Sequence, residues 1–348
     1  MAITARVRAT LGVCLTVATL HGCAGRSTVA HVAMVQLDGP AIHWMGPQLD
    51  ADRSSLGNWR MSVGPPVVVS PAAQPTVPSD RLVVVNWNMH VGGGDIAGLL
   101  AEVRRRHEGA PVVFLLQEAY REGPEVPVRL DAEAGFASMI RSLRPDGSRE
   151  EIQSVARRLG LHAYYVPSMR NGAPTASAED RGNAILSTLP LTDLTAIELP
   201  FERQRRVAVA AAVTGVTSAG APWKIRVVSA HLDNMVGARR LWIAGGEFGR
   251  TRQARGLVSA LQDGNPLVLG ADLNSWFGFH DGAYRTAAAA FPGTAVTDRR
   301  GTFHGMLRLD HLFFRLDEGW RAQFARADNT FGSDHYPLVG EIRFDRSL

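Results

Sequence analysis

The chain has 348 residues, 45% of them hydrophobic, and a formal net charge of +4. That is enough apolar material for one large domain with an extension, or two small domains, and it excludes a chain too polar to bury a core. The charge excess is too slight to demand nucleic acid as partner, and of the 37 basic residues only Lys224 is a lysine.

At the N-terminus, Met1–Arg8 carries Arg6 and Arg8 without an acid, Ala9–Leu20 is mostly apolar, and Leu20-His21-Gly22-Cys23 follows. A basic start, a short apolar run and a small-residue site describe a secretory signal, residues 1–22, too short to span a membrane comfortably. Leu-x-Gly-Cys resembles a bacterial lipoprotein box. On that reading Cys23 carries a lipid and ties the exported protein to a membrane of the cell envelope or periplasm. Cleavage within Gly22-Cys23-Ala24 would make it secreted instead. The other cysteine, Cys14, lies inside the signal, so the mature chain has no disulfide to stabilise it.

Residues 23–80 read as a tether and arm. Gly64–Pro78 is rich in proline, alanine and valine and is expected to be partly extended. Trp44, Trp59 and Val67-Val68-Val69 suggest that some of the arm docks on the domain that follows, residues 81–348.

That domain opens with an apolar strand, Arg81–Asn88. Gly92-Gly93-Gly94 makes a turn, Asp95 is an N-cap, and Ile96, Leu99, Leu100 and Val103 mark one helix face. A second buried strand, Val112–Leu116, ends in Gln117-Glu118. From Arg121 to Gly160 the pattern is helical. Phe136, Met139, Ile140 and Leu143 form one stripe; Ile152, Val155, Ala156 and Leu159 form another, with Ser148–Glu151 as a capping box. Strands are expected over His162–Pro167, Asn183–Ser187, Val207–Val213 and Trp223–Ala230. A helix over Arg239–Gln262 precedes the short strand Pro266–Gly270, and strands Arg308–Phe314 and Pro337–Phe344 close the chain. No period of 20–50 residues repeats, so a single α/β domain is the economical reading.

Polar residues gather where these apolar strands end: Asn88, Glu118, His231, Asp272 with Asn274, Asp310, and Asp334 with His335. Ligand sites in α/β folds favour strand ends. In an extended chain residues i and i+2 point the same way, so Asp272 and Asn274 should face one spot.

Seven stubs in this order, Trp87-Asn88, Gln117-Glu118, Arg181–Ser187, Ser229–Leu232, Gly270–Asn274, Leu309–His311 and Ser333–Leu338, resemble the endonuclease/exonuclease/phosphatase superfamily of DNase I-like hydrolases. The resemblance implies an α/β four-layer sandwich: two mixed β-sheets face to face, helices outside, the site at one end. It implies a monomer that hydrolyses a phosphate ester with Mg²⁺, or Mn²⁺ in its place. Glu118 would hold the metal, with Asn88 and Asp334 close by. Asp272 would orient or deprotonate the attacking water. Asn274 and Arg181 would bind phosphate oxygens, and Asn88 would lie against the substrate. His335, paired with Asp310, would stabilise the phosphoryl group or assist proton transfer. His231 would bind phosphate or protonate the leaving oxygen, with Glu179 or Asp180 as its partner.

Two departures stand out. Some DNA-repair members carry an acid two residues beyond the first asparagine, where this chain has His90, and an alanine separates Gly270 from Asp272. The substrate stays open among nucleic acid, a phospholipid such as sphingomyelin, and inositol phosphates. A reading of a different class is an envelope lipoprotein that uses the fold only for binding. Arg203, Arg205 and Arg206 precede a strand and could touch phosphate; Trp276, Phe277 and Phe279 could wall a pocket.

Overall fold

The computed structural model describes residues 29–35, 41–72, 77–127, 142–172, 178–234 and 242–344. The expected signal, Cys23 and the Phe136-Met139-Ile140 stripe lie outside them.

The arm supplies β1 (Val29–Val35), β2 (Ile42–Pro47), α1 (Asp50–Met61) and β3 (Val67–Val69). Next come β4 (Arg81–Asn88), α2 (Ile96–Arg106), β5 (Val112–Glu122), α3 (Ile152–Leu159), β6 (His162–Arg170) and β7 (Glu179–Ser187). Then follow β8 (Thr192–Glu198), β9 (Val207–Val216), β10 (Pro222–His231), α4 (Trp242–Ala260) and β11 (Leu267–Asp272). The chain closes with α5 (Gly282–Ala290), β12 (Asp310–Arg315), β13 (Arg321–Arg326) and β14 (Leu338–Arg343).

These strands form two seven-stranded sheets, β1-β2-β8-β9-β10-β11-β12 and β13-β14-β4-β5-β7-β6-β3. Both are mixed, with β10 parallel to β11 and β4 parallel to β5 among antiparallel neighbours. Strand alternation sets the layers. Leu82 and Val84 of β4 meet Val209, Val227 and Val268 of the other sheet in a central core. Val83, Val85 and Trp87, one step out of phase, pack outward with the apolar faces of α2 and α3. On the opposite outer face, Leu267 and Leu269 pack with Ala254 and Leu257 of α4 and Ala283 of α5. The result is the expected four-layer α/β sandwich.

The arm docks as Trp59, which is buried, suggests. β2 runs parallel to β8 in one sheet, and β3 runs antiparallel to β6 in the other. Elsewhere local pattern misled. β5 does not end at Glu118 but runs on to Glu122, so Arg121 is a strand residue, buried against Asp180 rather than helical. The capping box fails as well. α3 begins at Ile152 with Glu151 as its N-cap, and the Glu151 carboxylate instead accepts the Glu122 N–H at 2.6 Å, tying the helix to β5. Leu143 stands exposed rather than in a core stripe.

The sheets come close together under Gly270. A Cβ there would lie 2.6 Å from Asn86 Oδ1 and 2.8 Å from Leu115 Cδ1. This accounts for the alanine in Gly270-Ala271-Asp272: the glycine and the aspartate share the inward face, two residues apart, and Ala271 packs outward. Gly270→Ala should cost about 2 kcal/mol through overpacking in urea unfolding. Wild-type stability in that variant would contradict so close an approach.

Candidate active site

Along the inward face, apolar side chains give way to polar ones at one end of the sandwich. Leu82 and Val84 are followed by Asn86 and Asn88 in β4, Ile225 and Val227 by Ser229 and His231 in β10, and Val268 by Gly270 and Asp272 in β11. β7 and β12 run the other way, so Arg181 and Asn183 precede Ile185, and Asp310 precedes Leu312. A buried polar clamp closes the floor. Gln117 Nε2 donates to Asn86 Oδ1 at 2.9 Å and to Ser229 Oγ at 3.0 Å, while Asn86 Nδ2 donates to the His311 carbonyl at 3.2 Å.

β5 breaks its alternation between Leu116 and Ala119, where the register with β7 shifts. Glu118 sits at the break with φ 53°, in the left-handed region. A bulge of this kind re-aims a side chain, and here it frees Glu118 at the end of the sandwich.

Asp272 is the centre. Its Oδ2 accepts from Asn88 Nδ2 at 3.0 Å across the two sheets, and its Oδ1 accepts the Asn274 N–H at 2.9 Å. Asn274, itself left-handed at φ 49°, turns its amide to His231 Nε2 at 3.0 Å and to the Leu232 carbonyl at 3.0 Å. His231 Nε2 stands 3.4 Å from Asp272 Oδ2.

Opposite Asp272 in the β11–β12 register is Asp310, whose Oδ2 binds His335 Nδ1 at 2.7 Å. The loop carrying His335 is pinned to β4. Ser333 Oγ donates to the Asn88 carbonyl and accepts the His335 N–H, and Trp87 Nε1 donates to the His335 carbonyl. One ligand atom from each of Asp272, Asp310 and His335 lies within 4.8 Å of the other two. Asp334 reaches to 4.0 Å from His335 Nε2 and 3.8 Å from His90 Nδ1.

This crowding sets the charges. Burial and then the Asp310 carboxylate raise Asp272 to about 7, against the pull of His335 and the bond from Asn88. Burial disfavours the His335 cation, but Asp310, with help from Asp272 and Asp334, overrides it and raises that histidine to about 10. His231 goes the other way. Burial, then Arg206, Arg181 and His335, push it well below the ordinary histidine value and keep it neutral.

The profile of the Endonuclease/Exonuclease/phosphatase family matches residues 85–335, well over half of the chain. The chain belongs to the endonuclease/exonuclease/phosphatase family. Two solved structures of family members are similar to it. One from Leptotrichia buccalis is 15% identical, with TM-score 0.50, and the match covers 76% of this chain and 100% of that one. Another, from Beutenbergia cavernae, is 18% identical, with TM-score 0.49, covering 76% of this chain and 71% of that one. No curated protein matches it.

Asn88, His231, Asn274, Asp310 and His335 gather round Asp272, Asp334 adjoins His335, and Glu118 and Arg181 meet beside His231. Neither Glu179 nor Asp180 partners His231. Glu179 is taken by Arg144, Arg149 and Asn171, and Asp180 by Arg121, Tyr165 and the Gly64 N–H. Of the three expected metal-holding residues, Glu118 is the best placed. Its carboxylate accepts no hydrogen bond among the described residues, and its one ion pair there, to Arg181, is 3.8 Å long. A partly exposed carboxylate with unused oxygens fits a hard cation that takes oxygen ligands. The buried Asp272–Asp310–His335 group suits it less, since Asp310 already occupies His335 Nδ1. Arg205 forms a buried structural pair with Glu198, whereas Arg206 enters the site's flank. Phe279 packs on Tyr284 and His311, while Phe277 stays exposed.

The His335 cation makes a prediction about stability. A histidine raised from 6.5 to about 10 contributes stability that is complete below pH 6.5 and lost as pH rises through about 10. In chelator, His335→Gln should destabilise by about 3 kcal/mol near neutrality, the scale of a broken buried pair. Urea unfolding should show that gap narrowing as pH rises towards about 10; a gap independent of pH would contradict a charged His335.

Proposed function

We propose that this chain is an exported, Mg²⁺-dependent phosphodiesterase that hydrolyses its substrate with water. The observation that carries the reading is Asp272, a base poised near neutrality and hydrogen-bonded by Asn88 and Asn274, beside a histidine held cationic by Asp310. Endonuclease, exonuclease and phosphatase activities all cleave phosphate esters, and the sequence of residues 1–23 supports export and a lipid on Cys23.

Glu118 would hold the metal, with Asn88 and Asp334 as further oxygen donors and Mn²⁺ as a substitute. Bound there, the metal would polarise a phosphoryl oxygen and offset the charge that develops on it. Asp272 takes the proton of the attacking water, its carboxylate aimed by the Asn88 amide and the Asn274 N–H. His335 presents Nε2–H to a phosphoryl oxygen, while Asp310 fixes its orientation and charge. His231, being neutral, serves as a hydrogen-bond partner that seats Asn274 rather than as a proton donor to the leaving group.

A phospholipid headgroup is a second reading with an observation behind it. Phe277 and Met306, 43% and 78% exposed, sit in the segments that follow Asn274 and adjoin His335. Apolar side chains exposed beside a site favour a lipid surface.

The test is a panel of plasmid DNA, RNA, sphingomyelin and a generic diester, assayed with Mg²⁺ and with chelator. Metal-dependent turnover of at least one diester is expected, and turnover that survives chelator would remove the metal from the mechanism. Asp272→Ala should lower kcat at least ~10²-fold; a near-native rate would refute its role as base. Glu118→Gln should raise the Mg²⁺ concentration needed for half-maximal rate about tenfold or more, the scale of a lost ligand interaction. An unchanged titration would remove Glu118 from the metal site.

A further inference from the structure

Glu118 is aimed by a break in register, and that break has to be held. Up to Leu116 the β5–β7 ladder pairs Leu115 with Ile185 and Leu116 with Ala184. Beyond it Ala119 pairs with Gly182 and Arg121 with Asp180, one residue out of step. The packing records the offset. Before the break the even-numbered Val112, Phe114 and Leu116 face the outer layer; after it the odd-numbered Ala119 does. Strand faces alternate with period two, so a slip that removed the offset would return Glu118 to the outward row and turn Arg121 to the opposite face. In the structure Glu118 stands instead beside Arg181 and His231.

The arm braces the shifted register. Arg121 and Asp180, opposite one another in it, form an ion pair with both side chains buried. Two arm residues answer that pair. The Gly64 N–H donates to Asp180 Oδ2 at 2.8 Å, and the Pro65 carbonyl accepts from Arg121 Nη1 at 2.8 Å. Tyr165 on β6 donates to Asp180 Oδ1 at 2.7 Å. A buried pair is costly unless further hydrogen bonds support it. A Cβ on Gly64 would collide with the Arg121 guanidinium and lie 3.0 Å from the Glu125 carbonyl, so the arm is seated closely. The tie from Glu151 to the Glu122 N–H, by contrast, lies at the exposed end of the strand. Gly64 and Pro65 precede residue 85, where the match to the family profile begins.

We propose that the arm is a positioning element for the metal site: Gly64 and Pro65 hold Arg121 and Asp180 in the register that aims Glu118. This rests on the reading of Glu118 as the residue that would hold the metal. It makes residues 41–72 a working part of the domain rather than a tether.

The test measures Mn²⁺ binding by electron paramagnetic resonance on the full chain, together with hydrogen exchange along β5. Gly64→Ala should raise the Kd for Mn²⁺ about tenfold or more, the scale of a lost support to a metal ligand. Asp180→Asn, isosteric but uncharged, should shift it the same way and serves if the first variant does not fold. Arg60→Gln is the control, since it cuts the arm's tie to Glu198 in the other sheet. It should leave the Kd unchanged. Amides of Ala119–Glu122 should exchange faster in Gly64→Ala, with those of Val112–Leu116 unmoved; loosening of the whole fold would speed both.

Wild-type Mn²⁺ affinity in both Gly64→Ala and Asp180→Asn, or an equal loss in Arg60→Gln, would overturn the proposal. If Glu118→Gln binds Mn²⁺ as wild type does, the metal assignment falls instead. Hydrogen exchange then decides the brace alone, and unchanged exchange at Ala119–Glu122 would end it.

Discussion

One hydrogen bond joins the two halves of this chain where the chemistry sits: Asn88 Nδ2 to Asp272 Oδ2, from one sheet to the other. The sheets approach closely beneath it, at Gly270, and the Asn86, Gln117 and Ser229 clamp ties them together there. Buried polar groups bonded across two sheets hold their partners in one arrangement. Here it fixes the register between sheets, so that residues far apart in sequence arrive at one end of the sandwich on the same face.

From that contact the electrostatics follow. Register sets Asp272 opposite Asp310 and beside His231. Two buried carboxylates side by side cannot both ionise freely. One of them, Asp310, is answered by the charged His335; the other, Asp272, is left with raised proton affinity and neutral hydrogen-bond donors. The pair thus divides its labour by environment, with one carboxylate orienting a histidine and the other poised to exchange a proton. Raised and lowered proton affinities drawn apart within one cleft are a signature of acid–base machinery.

Much of this was legible in the chain. Asn88, His231, Asp272 and Asp310 end or begin strands whose inward alternation of apolar residues is plain in the sequence, and His335 follows in motif order. Other features needed the third dimension. The bulge at Glu118 is an irregularity of pairing with β7, which no pattern within β5 announces. Arg121 and Glu122 look like the start of a helix until the buried Asp180 shows what the arginine is for. Glu179 and Asp180 precede the Arg181–Ser187 stub and offered His231 a carboxylate, yet arginines claim them. Arg203, Arg205 and Arg206 are indistinguishable as letters. Only the packing separates the one that pairs with Glu198 from the one on the site's flank with Glu118 and His231. The arm's edge strands were equally obscure, because short strands such as Val67–Val69 take their stability from partners distant in sequence.

The account stands on a metal and a phosphorus centre meeting between Glu118 and the Asp272–His335 cluster. Anomalous diffraction from crystals soaked in Mn²⁺ with a non-hydrolysable phosphodiester tests this most directly. The expected map places manganese within bonding distance of Glu118, and phosphorus between the metal and His335. Manganese bound instead by Asp310 and His335, or remote from Glu118, would contradict it.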